Sequence, residues 1–225
     1  MKTRLPLLLS FVFVHGAFGA EPAAATAVFV NPNAPEHVEI REIGEKAINR
    51  VAVTLVNEVN AAVAKSGADK AVDFCHLKAL PMTGQIIAGM PRVTAVKRTS
   101  LRLRNPANAP DAHEKVALSK VERDIEDGNP PKLLMQRIDR PGEKPEWRLY
   151  RPMAVAPQCL TCHGPSDSLS PELKARLAER YPDDKALDYT AGQWRGLIRV
   201  SISDTPPPAA APAKGAPAAK STPKA

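Results

Sequence analysis

The apolar residues change their period near residue 90, and that change restricts the chain to folds that combine helices with a sheet. From Pro35 to about Lys65, Ile40, Ile43, Ala47, Val51, Leu55, Val59 and Ala62 recur at steps of three and four, with Glu42, Lys46, Asn49 and Arg50 between them. This spacing predicts one long amphipathic helix. Ser66-Gly67 ends it, and Asp69 can cap a second helix that carries Ala71, Val72, Cys75 and Ala79 on an inward face toward Pro81. Beyond it, Val93, Ala95, Thr99, Leu101 and Leu103 alternate with Thr94, Arg98, Ser100, Arg102 and Arg104. That alternation predicts a strand over 93–104 with one basic face and an apolar row broken by Lys97. Asp111 and Glu114 form the pattern of a helix cap ahead of Val116, Leu118 and Val121. Strands follow over 133–138 and 147–155, joined by a turn at Pro141-Gly142. Ser170-Pro171-Glu172 opens another helix, and 197–202 is the last strand. Helices first, then a small antiparallel sheet with helices inserted between its strands, make an α+β domain.

The two ends stand outside that domain. Residues 1–20 place Lys2 and Arg4 before an apolar run from Leu5 to Phe18 and the small residues Gly19-Ala20, the pattern of a secretory signal peptide. The run contains Pro6 and is shorter than the ~20 residues that cross a bilayer, so cleavage and a periplasmic product without a membrane span are expected. Residues 21–34 read as a linker, 35–204 as the domain, and 205–225, rich in Pro, Ala and Lys, as a disordered tail. The formal charge of +7 belongs largely to these ends. Setting aside Lys2, Arg4, Glu21, Lys214, Lys220 and Lys224 leaves 26 basic residues against 23 acidic ones. With no basic patch interleaved with aromatics, a nucleic-acid partner is not expected. Three cysteines are too few for a disulfide-built scaffold.

Cys159-Leu160-Thr161-Cys162-His163 is a C-x-x-C-H motif, the attachment sequence for c-type haem. Two thiols at this spacing can each add to one vinyl group of the same porphyrin, and the adjacent histidine then coordinates iron. A structural zinc site would need two more ligands, and Cys75, His76 and His113 form no second paired motif. A thioredoxin-like dithiol would need a βαβ context that is missing. A plain disulfide between Cys159 and Cys162 leaves His163 without a role. One covalently attached haem c is therefore the expected cofactor, with Cys159, Cys162 and His163 binding it. For the other axial position, spacing leaves Cys75 level with Met82, Met90, Met135 and Met153, and a core position for Cys75 is equally compatible.

The strings RTSLRLRNPANAPD (98–111), YRPMAVAPQCLTCHG (150–164) and YPDDKALDYTAGQWRGLIRVSIS (181–203), preceded by AVDFC (71–75), resemble a bacterial family of single-haem c-type proteins. Its members share a PAS-like haem domain, first catalogued as a domain of unknown function and represented by a cyanobacterial haem protein. The resemblance spans most of Pro35 to Ser203. It implies a PAS-like sheet, His163 as proximal iron ligand and Cys75 as distal ligand. Lys97, His113 and Gln193 depart from the family pattern without touching these positions. A thiolate opposite a histidine stabilises ferric iron and lowers its potential, and two filled axial positions argue against an enzyme. The resemblance and this ligation imply a redox or gas sensor in which reduction or a diatomic ligand displaces Cys75. The alternative is a soluble low-potential electron carrier. Either needs a separate redox or signalling protein partner. Arg98, Arg102 and Arg104, on one strand face, are candidates to meet the haem propionates.

Overall fold

The computed structural model describes residues 25–205, so the expected signal peptide and all of the tail beyond Thr205 lie outside the described residues. Five strands, β1 (Thr26–Val30), β2 (Val93–Thr99), β3 (Leu134–Asp139), β4 (Glu146–Ala154) and β5 (Trp194–Ser203), build one antiparallel sheet in the order β1-β3-β4-β5-β2. The helices are α1 (Val38–Ser66), α2 (Ala68–Leu77), α3 (Ala79–Ile87), α4 (Ala112–Glu126), α5 (Leu160–His163) and α6 (Pro171–Arg180). The fold is α+β with a long N-terminal helix over a small PAS-like sheet, as the change of period requires.

The sheet is covered on both faces. On one, Ile40, Ala47 and Ile48 of α1 pack on Met135, Trp147, Leu149, Ile198, Val200 and Ile202. The helix lies so close that a Cβ at Gly44 would meet Leu149 Cδ2 at 2.5 Å. On the other face, Ala117, Leu118 and Val121 of α4 pack on Leu134, Tyr150 and Leu197. This second face also buries charge. Glu114, fully buried, accepts from Lys97 Nζ at 2.7 Å, Arg199 Nε at 2.9 Å and the Asp111 backbone N–H at 2.9 Å. Lys97 interrupts the apolar row because it supplies half of that carboxylate's compensation. The network runs on through Ser201, Glu146 and Arg148 to Asp111, whose side chain closes the expected capping box with Glu114.

Four expectations need correction. Residues 21–34 are not all linker: Thr26–Val30 pairs with β3 as an edge strand, because Val28, Phe29 and Val30 suit a pleated surface. Asp69 does not cap α2; Gly67 (φ +87°) holds the N-cap position and Asp69 falls in the first turn. Pro81 does not stop the helical region, since it sits in the first turn of α3, where its missing N–H costs nothing. Finally, β2 ends at Thr99, paired with Leu197. Residues 100–105 leave the sheet, so Arg102 and Arg104 do not share a strand face with Arg98.

Candidate cofactor site

The C-x-x-C-H residues sit on a one-turn helix that follows a 3-10 turn, Pro157–Cys159, opened by a proline at its first position. A strap over residues 181–193 holds this segment by its backbone. Tyr189 donates to the His163 carbonyl at 2.9 Å, Asp188 to that of Gly164 at 2.9 Å, and Gly192 to that of Val155 at 2.7 Å. Gly164 is required where the turn closes, since a Cβ there would lie 2.6 Å from the Leu160 carbonyl oxygen.

His163 is fixed in a defined state. Its Nδ1 lies 2.7 Å from the Ala186 carbonyl oxygen, which can only accept, so Nδ1 carries the proton and Nε2 keeps its lone pair. Burial, reinforced by the cations of Arg104 and Arg195, pushes the ring pKa down to about 3, so the imidazole is neutral across the physiological range. Tyr189 stands edge-on to it, 6.4 Å between ring centroids.

The arginines around the site are not equivalent. Arg104 donates to the Cys162 carbonyl at 2.6 Å and the Ala186 carbonyl at 3.3 Å while pairing with Asp184 at 2.9 Å. Arg102 donates to the Lys185 and Leu187 carbonyls and stacks 4.1 Å from the Tyr189 centroid. Arg195 lies 5.3 Å from that centroid and donates to Ser100 Oγ and the Arg102 carbonyl. All three are committed to holding the strap, the loop after β2 and α5 together.

Cys75, on α2, reaches the same neighbourhood. Burial raises its thiol pKa against the opposing cations of Arg98 and Arg104, and burial likewise raises that of Cys162, with Cys75 and Cys159 among the groups acting on it. Val72, one turn before Cys75, packs with Leu169, Leu173, Leu177 and Tyr181, and Cys162 packs against this cluster. Cys159 packs instead with Val155, Ala186 and Tyr189. All three cysteines are free thiols, so no disulfide joins Cys159 and Cys162. Among the described residues no three His, Cys, Asp or Glu side chains converge as a closed zinc site would need. The methionines are placed elsewhere. Met90, Met135 and Met153 pack in the core beneath α1, and Met82 packs with Val51, Leu55, Ala79 and Ile86.

This donor set suits an iron porphyrin held by two thioethers: two free thiols at the right spacing, a neutral imidazole with its second nitrogen already anchored, and a further thiol close by. Sequence reasoning missed the tyrosines 181 and 189 and the Ala186 carbonyl, and weighed His76 only as a zinc ligand. Only the tyrosines carried a signal, since both lie in the strap whose string helped to suggest the resemblance.

The family described as Tll0287-like matches residues 34–203. No curated protein matches the chain. A solved structure, that of the cyanobacterial haem protein Tll0287, is similar at 21% identity over 80% of this chain and 100% of its own, with a TM-score of 0.45.

Proposed function

The chain belongs to the Tll0287-like family, and we propose that it is an exported protein bearing one covalent haem c and acting as a redox or gas sensor. Cys159 and Cys162 anchor the haem, His163 is the proximal ligand and Cys75 the distal one. The observation that carries this reading is the state of His163, neutral and tied through Nδ1 to Ala186, beside two free thiols at attachment spacing. Tll0287, for which the family is named, is described as a haem protein. A haem iron at this position supplies one-electron redox chemistry and, when one axial ligand is absent, a place for carbon monoxide or nitric oxide.

Sensing is favoured by the way α2 is held. Gly67 separates it from α1, and beyond Val72 its grip on α6 includes ion pairs from Asp73 to Arg180 at 2.7 Å and to Arg176 at 3.8 Å. All three of these charged side chains are about one-third exposed, so the pairs can be broken and remade at little cost. A helix held in this manner is suited to move when its Cys75 sulfur is released.

The test is an absorption spectrum of the chain purified from a periplasmic fraction, oxidised and reduced, with and without carbon monoxide or nitric oxide. Covalent haem with a low-spin ferric thiolate spectrum, and gas binding coupled to a structural change, is the expected result. Inertness to gases with fast self-exchange would assign the chain to low-potential electron transfer instead. A purified chain without covalent haem refutes the reading altogether.

A further inference from the structure

Among the polar side chains around the site, two have nothing to bind among the described residues. Arg104, Arg102 and Arg195 are engaged by carbonyls, Asp184 and Ser100. His163 is engaged by Ala186. The Arg98 guanidinium has no hydrogen bond and no carboxylate partner among the described residues; burial works against its charge, and Cys75 and Tyr181 are the groups that favour it. His76 presents a buried Nδ1 that meets no partner. Its ring is set edge-on against Tyr181, 5.2 Å between centroids at 67°, which fixes its direction. His76 thus stands against Tyr181, and the charge of Arg98 acts on both Tyr181 and Cys75. A buried nitrogen left without a partner is costly, and a guanidinium left unpaired beside it is open to an anion.

On the haem reading above, such an anion comes with the cofactor, which carries two propionates. We propose that Arg98 and His76 hold the haem propionates, the guanidinium by paired N–H bonds to one carboxylate and the imidazole by donation from Nδ1. The guanidinium fork matches a carboxylate bidentately, which a lone nitrogen cannot do, so Arg98 carries the larger share. Of the three arginines that the sequence brings forward, Arg102 and Arg104 are set aside because the Nε and Nη2 edge of each is already turned to the strap, and that of Arg104 also to Cys162.

The experiment compares resonance Raman propionate bending bands and the reduction potential in the haem-loaded parent, Arg98→Gln, Arg98→Lys, His76→Phe and Arg102→Gln. Arg98→Gln is expected to shift the propionate bands and, by removing a positive charge beside the haem, to favour the ferric form about tenfold, a fall of about 59 mV for one electron. Arg98→Lys restores most of the potential without restoring the bands. His76→Phe shifts the bands less, and Arg102→Gln leaves them in place. Haem-loaded Arg98→Gln with the parent's bands and potential would overturn the proposal. If Arg98→Gln does not fold, a crystal structure of the haem-loaded parent decides: propionate oxygens within hydrogen-bond distance of Arg98 uphold it, and propionates turned away from both residues overturn it. A parent without covalent haem fails the preceding reading, which pyridine haemochrome analysis identifies separately.

Discussion

Replacing Arg104 with methionine should remove the bracket that holds the C-x-x-C-H turn while keeping most of the side chain's apolar stem. The guanidinium bonds the Cys162 and Ala186 carbonyls and pairs with Asp184, whose side chain is only 7% exposed. Removing one partner of a buried pair costs about 3–5 kcal/mol, because the other charge is left in place without compensation. Asp184 still accepts from the Ala186 N–H at 2.8 Å, which moderates that cost. The Cys162 carbonyl loses a charge-assisted donor, which adds about 1.5 kcal/mol. The expected total is about 3–5 kcal/mol, or a fall in Tm of about 6–20 °C for a domain of this size. Urea unfolding followed by far-UV circular dichroism measures it, alongside Asp184→Asn and the double variant. The double variant should lose at least 1 kcal/mol less than the sum of the single losses, because the coupling counted in each single variant can be lost only once. A loss below about 1 kcal/mol in Arg104→Met, or strict additivity in the cycle, would refute the account of Arg104 as a buried bracket.

Cys75→Ala should abolish the thiolate signature of the ferric spectrum, whereas Met82→Ala and Met90→Ala leave it unchanged; an unaltered spectrum in Cys75→Ala would transfer the distal role elsewhere. Glu146 is half-buried, which opposes its charge, but hydrogen bonds from Arg148, Ser201 and Arg140 prevail and hold its carboxyl down at about 2. Its folded pKa lies below the unfolded value, so its stabilisation is present above pH 4.5 and fades as pH falls toward 2, by at most about 3 kcal/mol. Urea midpoints of the parent and Glu146→Gln should therefore converge at low pH, and parallel pH profiles would contradict this. Gly44→Val should cost about 1–3 kcal/mol by overpacking against Leu149, read as a lowered Tm, and an unchanged Tm would show that α1 can lift from the sheet. Glu114→Gln leaves Lys97 and Arg199 facing a neutral group and should lower stability by about 3 kcal/mol in the same urea assay; a loss under 1 kcal/mol would mean the cations find other partners.

What could be read from the sequence is what short stretches of chain determine by themselves. The capping box of Asp111 and Glu114, the Ser170 cap and the period of α1 all depend on neighbours a few residues away. The end of β2 does not. Leu101 and Leu103 continue the alternation, yet pairing with β5 stops at Thr99, and Ser100 turns to bond the Arg195 carbonyl at 2.7 Å. Which arginines hold the strap was therefore hidden, because their partners are carbonyls 58 to 93 positions away, and backbone carbonyls have no sequence signature. β1 was hidden for a different reason: a run of five residues is too short to show a period. The four sulfur and nitrogen positions of the proposed site were visible as residue types, but that α2 and Cys162 meet at one apolar cluster depends on the packing of α2 on α6.

The proposed iron ligands come from opposite parts of the chain, Cys75 from the early helices and His163 from the segment gripped by the late strap. Joined through one metal, they would act as a cross-link that closes a long loop of the unfolded chain, and such closure stabilises the folded state at the expense of the unfolded one. Losing the Cys75 bond would then lower the protein's resistance to unfolding as well as changing its spectrum. A protease that cuts only opened chains would remove the reduced or gas-bound form faster, so the lifetime of the molecule would itself record the state of its iron.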